Sequence, residues 1–190
     1  MKVPTVNELK LMISVVPARA PFGVRDRAIM VLLANLGLRV SELAGLDVRH
    51  VAWDGVLREF MEVPKQWAKG GHSRSLPLNE NAQRAIRALV AFNRSRGFST
   101  DNDAPLIQDR HHRRIPVREI QRMIQKYREL AGVSEQITPH KYRHFFACQT
   151  LQKTNNPRIT QVLLGHWRLE TVEIYTHYNQ EQLKAAVGAG

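Results

Sequence analysis

At 190 residues the chain is long enough to bury a core and fits one domain, and its 43% hydrophobic and 24% charged residues are those of a globular protein. The longest uninterrupted apolar run, residues 28–34, is far below the ~18 residues that span a membrane, and a single cysteine excludes an internal disulfide. The net charge of +11 at pH 7 points to a polyanionic partner, nucleic acid ahead of an anionic membrane. The excess is uneven: residues 84–128 hold eleven Lys and Arg against four acids. "LMISVVPARA" ends in a signal-like A-x-A triplet, but its apolar stretch is short and crowded by Glu8 and Lys10, so cytoplasmic sequence is expected.

In chain order, Thr5 and Glu8 form a capping box, and Leu9, Met12, Ile13 and Val16 recur at helical spacing until Pro17. Ile29, Leu32, Leu33 and Leu36 repeat the pattern, with Gly37 as C-cap, and a short helix is expected at 41–45. The period then changes. In "VRHVAWDGVLREFMEV" a Trp-Asp-Gly turn separates β-branched and aromatic runs, predicting a hairpin, and "HSRSLPL" is a candidate third strand. Asn79 caps a helix with Ala82, Ala85, Ile86, Leu89 and Val90 on one face, and residues 99–114 read as loop. Pro116 opens a helix with Ile120, Met123, Ile124 and Tyr127 on one side and Arg118, Arg122 and Lys126 on the other. Thr138-Pro139 pairs an N-cap with proline at the first helical position. Pro157 starts another helix, residues 170–177 a further one, and "QEQLKAAVGAG" a tail helix within 179–190. The fold class expected is mainly α with a small antiparallel β-sheet (α+β), without repeats or linkers.

Four segments carry candidate chemistry: "GLRVSEL" with Arg39, "WAKGGHSRSLPL" with Lys69, "TPHKYRH" with His140 and Arg143, and "LLGHWRLETVEIYTHY" with His166 and Tyr175. His140 and His144 stand at the i, i+4 spacing of a zinc helix, but Lys141 occupies the place of the catalytic glutamate, so no metal is expected. His111 and His112, flanked by arginines, read as an exposed basic patch, and Cys148, among Phe145, Phe146 and Leu151, as a buried, inert thiol.

Together these segments resemble the tyrosine recombinase (phage integrase) catalytic domain over nearly the whole chain. The family pattern is an arginine in G-L-R-x-S-E-L, a lysine in a β-hairpin turn, H-x-x-R, L-G-H, and a tyrosine in Y-T-H; Arg39, Lys69, His140 with Arg143, His166 and Tyr175 match it in order. The resemblance implies a site-specific DNA recombinase or integrase that cleaves and rejoins strands through a 3′-phosphotyrosyl intermediate, without metal or cofactor. Tyr175 is then the nucleophile, Lys69 the general acid and Glu42 a residue orienting Arg39 or His140. The chemistry is coherent. Two permanently charged guanidiniums suit the charge that grows on a phosphodiester's non-bridging oxygens. A cationic cluster eases ionisation of a phenol, and the 5′-oxygen leaving group needs a proton donor.

DNA contacts are expected at Arg74, Arg118, Arg122, Lys126 and Lys141. The resemblance further implies double-stranded DNA as partner, a homo-oligomer, a tetramer on DNA, joined by tail helices carrying Leu183, Ala186 and Val187, and a nucleoid-associated location with no membrane. The family's separate N-terminal core-binding domain is expected to be absent, leaving 1–190 as one catalytic domain. Trp167 after His166 departs from the family's small polar residues, and either packs the histidine ring or stacks at the DNA backbone. Telomere resolvases and type IB topoisomerases share the chemistry but carry larger auxiliary domains. The alternative from another class is a non-catalytic basic DNA-binding module.

Overall fold

A computed structural model describes residues 3–67, 73–134, 136–165 and 180–188. The described residues form helices α1 (Val6–Ser14), α2 (Gly23–Leu36), α3 (Val40–Gly45), α4 (Glu80–Ser95), α5 (Val117–Leu130), α6 (Pro139–Thr154), α7 (Pro157–Leu164) and α8 (Gln180–Val187). Four short strands, β1 (Ala52–Trp53), β2 (Val56–Leu57), β3 (Phe60–Val63) and β4 (Arg74–Pro77), lie between α3 and α4. The helix at 170–177 expected from the sequence lies outside the described residues.

The capping chemistry operates as the sequence predicts. The Thr5 hydroxyl accepts the Glu8 amide while Glu8 accepts the Thr5 amide, Asn79 caps Ala82 at 2.9 Å, and Thr138 starts α6 with Pro139 behind it. Helix α2 is the centre of the core. Ile29, Met30, Leu32 and Leu33 are fully buried, and α4 and α6 pack against it. At its end Gly37 turns left-handed (φ +58°) with the Phe146 ring of α6 tight above it.

The β-region departs from expectation. Asp54 and Gly55, both at positive φ, close a two-residue hairpin between β1 and β2. The chain does not continue that hairpin, however, and β3 pairs with β4 as a separate two-stranded sheet. Burial explains the switch. Trp53 and Val56 on the hairpin remain exposed, whereas Met61 and Val63 are fully buried opposite Leu76 and Arg74. Lys69 belongs to the β3–β4 connection and lies outside the described residues.

The basic helix α5 is tied to the core by a polar network. The Tyr127 hydroxyl donates to Asp26 at 2.9 Å, and Arg25 bridges Asp26 and Glu119. Burial, reinforced by the Asp26 charge, pushes the Tyr127 phenol up to about 12, so it stays a donor. Residues 99–114 lack helix, as expected, but are anchored: Leu106 and Ile107 are fully buried, and the buried Asn93 side chain donates to the Leu106 carbonyl.

One expectation is corrected. Cys148 is exposed, because it faces away from the α6 side that carries Tyr142 and Phe146. Helix α8 lays Leu183, Ala186 and Val187 into its own chain beside β4, α6 and α7, and Asn79 donates to the Val187 carbonyl. Among the described residues no helix is long and apolar enough to cross a membrane.

Gly37 gives a test of this packing. A Cβ there would lie 2.3 Å from the Phe146 ring, while Gly132 shares the left-handed backbone (φ +63°) with nothing within 4 Å. Gly132→Ala should therefore lose only the conformational term of about 1 kcal/mol. Gly37→Ala should lose about 1–3 kcal/mol more from overpacking. Equal losses in denaturant unfolding would refute the contact.

Candidate active site

The site begins where α2 stops. Gly37 ends the helix, Leu38 dives into the core, and Arg39 starts α3 as its N-cap in extended conformation. Three residues on, Glu42 turns its carboxylate inward and is fully buried. It accepts the Arg39 amide at 2.7 Å and the Arg39 guanidinium at 2.8 Å. From β4, Arg74 grips the same carboxylate with two bonds, 3.0 and 2.7 Å. From α6, Arg143 brings its Nη1 to 3.9 Å. One buried anion thus gathers three arginines from three elements.

Charge balance sets the protonation states. Burial alone would raise the Glu42 carboxyl, but hydrogen bonding and charge attraction from Arg74, then Arg39, outweigh it and hold the group below its ordinary value. Burial, with Arg39 nearby, pulls Arg143 down to about 10, which leaves it charged at neutral pH.

Arg143 is itself a strut. It donates Nη1 to the Gly37 carbonyl at 2.6 Å and Nη2 to the Leu164 carbonyl. Arg74 donates Nε to the Leu163 carbonyl at 3.1 Å. Two cations therefore cap the carbonyl end of α7, where the helix dipole favours positive charge. Gly165, left-handed at φ +64°, leaves room for Arg74, whose side chain would lie 3.1 Å from a Cβ there. The next residue is His166. His166, Tyr175 and Trp167 lie outside the described residues, as does Lys69.

Among the predicted site residues, the structure brings Arg39, Glu42 and Arg143 together. His140 is exposed in the first turn of α6, the helix that also carries Arg143, and its Nε2 lies 2.9 Å from the Nε2 of His144. Glu42 accepts from Arg39, and the described contacts show no bond from it to His140. Arg118, Arg122 and Lys126 are exposed on α5, opposite the buried Ile120, Met123, Ile124 and Tyr127; Lys141 is half-buried in the first turn of α6.

Arg74 is corrected. Expected at the DNA surface, its side chain is completely buried and held by Glu42 and Leu163, so it has no face to offer a phosphate. The signal was present, since Arg74 shares the period-two face of β4 with Leu76. The carbonyls of Gly37, Leu163 and Leu164 left no such signal, because backbone oxygens have no sequence signature.

The model of the phage integrase family matches residues 2–182. The chain belongs to that family. It is 36% identical over 165 residues to tyrosine recombinase XerC of Serratia marcescens, covering 86% of this chain and 51% of that protein. To tyrosine recombinase XerC of Thermodesulfovibrio yellowstonii it is 36% identical over 172 residues, 88% of this chain and 55% of that one. The chain thus spans about half the length of these relatives. Among solved structures, XerA recombinase superposes with a TM-score of 0.72 at 30% identity, over 97% of this chain and 63% of the other. The lambda integrase catalytic core, at 18% identity and TM-score 0.64 over 87% of this chain and 96% of that core, shares the fold. The mainly helical fold with small antiparallel sheets is that of the family's catalytic domains.

Glu42→Gln tests the hub. Removing the charge leaves Arg74 buried without its counter-ion, and should lose about 3 kcal/mol or more at neutral pH. Because the folded carboxyl lies below its ordinary 4.5, its stabilisation is present above that value and disappears as pH falls through the folded value. The gap in thermal unfolding between wild type and Glu42→Gln should therefore narrow at acid pH. A gap independent of pH would exclude an ionised Glu42 as its cause.

Proposed function

We propose that the chain is the catalytic portion of a site-specific DNA recombinase that cleaves and rejoins strands through a 3′-phosphotyrosyl intermediate. The observation that carries the reading is the pairing of Arg39 and Arg143 around the buried Glu42 carboxylate, with His140 in the first turn of the helix that also carries Arg143. Arg39 is held at one edge by Glu42 yet keeps 27% of its side chain exposed. Two pre-oriented cations and the positive end of a long helix suit a phosphodiester whose non-bridging oxygens gain charge in the transition state.

In this reading Tyr175 attacks phosphorus and displaces the deoxyribose 5′-oxygen. His140 handles the phenol's proton, Lys69 protonates the leaving oxygen, and His166 holds the phosphate. Attack by a 5′-hydroxyl reverses the step and rejoins the DNA. Arg118, Arg122, Lys126 and Lys141 contact the backbone, which positions the duplex without reading its sequence. Assembly as a tetramer on paired sites, and a nucleoid-associated location, belong to the same reading.

The test is a pool of nicked duplexes with randomised core sequence, from which the cleaved strand's leaving end diffuses away. Denaturant-stable protein–DNA adducts should form, map to Tyr175 and vanish in Tyr175→Phe. Binding without an adduct would favour a non-catalytic DNA-binding module; an adduct surviving Tyr175→Phe would overturn the nucleophile. In binding titrations, replacing Arg118 or Arg122 with Ala should weaken affinity for all sequences alike and lower the salt slope by about 1 per cation removed.

A further inference from the structure

Helix α6 carries a second histidine beside His140. His144 stands one turn beyond His140. Their Nε2 atoms are 2.9 Å apart, their ring centroids 4.4 Å apart and their planes at 85°. Nitrogens at that distance share one hydrogen, so one ring donates through Nε2 and the other accepts with its lone pair.

Either ring can be the donor, and only donation by His140 leaves its Nδ1 with the lone pair a base needs. His140 is exposed and His144 half-buried. Burial, followed by the charges of His140 and Arg143, holds the His144 ring below the usual histidine range. With His144 as the acceptor, its own hydrogen sits on Nδ1. His140 donates Nε2–H, and its Nδ1 is the nitrogen left for substrate.

We infer that His144 is a positioning residue for strand cleavage: by accepting Nε2–H from His140, it fixes that ring with Nδ1 presented to the reacting groups. The inference rests on the functional reading above. An imidazole held by one edge cannot exchange its two nitrogens by flipping. In the neutral state Nδ1 offers a lone pair, which takes the proton of the Tyr175 phenol as the phenol oxygen bonds to phosphorus. The bond from phosphorus to the 5′-oxygen breaks, and that oxygen takes a proton from Lys69. His140, now charged, donates Nδ1–H to a non-bridging oxygen and returns the proton to the phenol when rejoining reverses the step. A ring free to turn would present the wrong nitrogen for part of the time, and misplacement of this kind costs rate rather than fold.

Two measurements test this. In DNA-free protein labelled with ¹⁵N-histidine, long-range proton–nitrogen spectra should show neutral His144 with hydrogen on Nδ1 and His140 with hydrogen on Nε2. His144 with its hydrogen on Nε2 would overturn the inference, and this result is decided in wild-type protein whatever the variants do. On a nicked duplex recovered from the randomised pool, His144→Leu should slow adduct formation by about tenfold or more at an unchanged unfolding midpoint. His144→Gln, whose Oε1 can accept the same hydrogen, should restore most of the rate, and His144→Lys, which only donates, should not. Wild-type cleavage by His144→Leu, or rescue by Lys equal to that by Gln, would overturn the positioning role alone. Wild-type protein that forms no adduct would instead bring down the functional reading on which it depends.

Discussion

A carboxylate with no access to water organises this molecule. Glu42 could not be buried alone, since an isolated ionised carboxylate in a protein interior is prohibitively unfavourable. Arg74 supplies a two-bond partner and Arg39 a third and fourth hydrogen bond. The consequence runs both ways. The arginines make the buried anion tolerable, and the anion lets guanidiniums stand side by side where their mutual repulsion would otherwise spread them. A surface that must receive a phosphate needs that crowding of positive charge before the phosphate arrives. The electrostatic work is done during folding, and little reorganisation is left for the arrival of an anion.

The division of labour among the arginines follows from depth. Arg74, fully buried, is structural: it joins β4 to α3 and to the end of α7. Arg143 is intermediate, tied to the carbonyls of Gly37 and Leu164 yet close to Glu42. Arg39 is the most accessible of the three. A lysine could not replace Arg143 as a strut, because two carbonyls on different elements require the planar, forked donor set of a guanidinium.

Much of this was legible in the sequence. Helix starts and stops were clear because caps and turns are local: Thr5 with Glu8, Asn79, and Thr138 with Pro139 act through neighbours a few residues away. The G-L-R-x-S-E-L box announced both Arg39 and its partner Glu42, one helical turn apart. What the sequence concealed was non-local. The pairing of β3 with β4 depends on which strand reaches the core, and that is decided by Met61 and Val63 meeting Leu76 and Arg74 across ten intervening residues. Arg74 was misassigned for the same reason. An arginine in a basic protein reads as a surface residue until a buried acid from elsewhere in the chain is found to face it. Cys148 shows the converse, since apolar neighbours in sequence placed it inside although its turn of α6 faces outward.

The hub also spans the chain. Its bonds join residues separated by 32, 89, 106 and 21 positions. Contacts that distant form late, because large loops must close before they are rewarded. A chain still being synthesised can have α2 and α3 in place, yet it lacks Arg143 and the α7 carbonyls until most of its length is available. The arginine cluster is therefore a property of the finished fold and of no fragment of it. This works as an assembly check, since a partly folded copy carries the basic charge but not the arranged arginines.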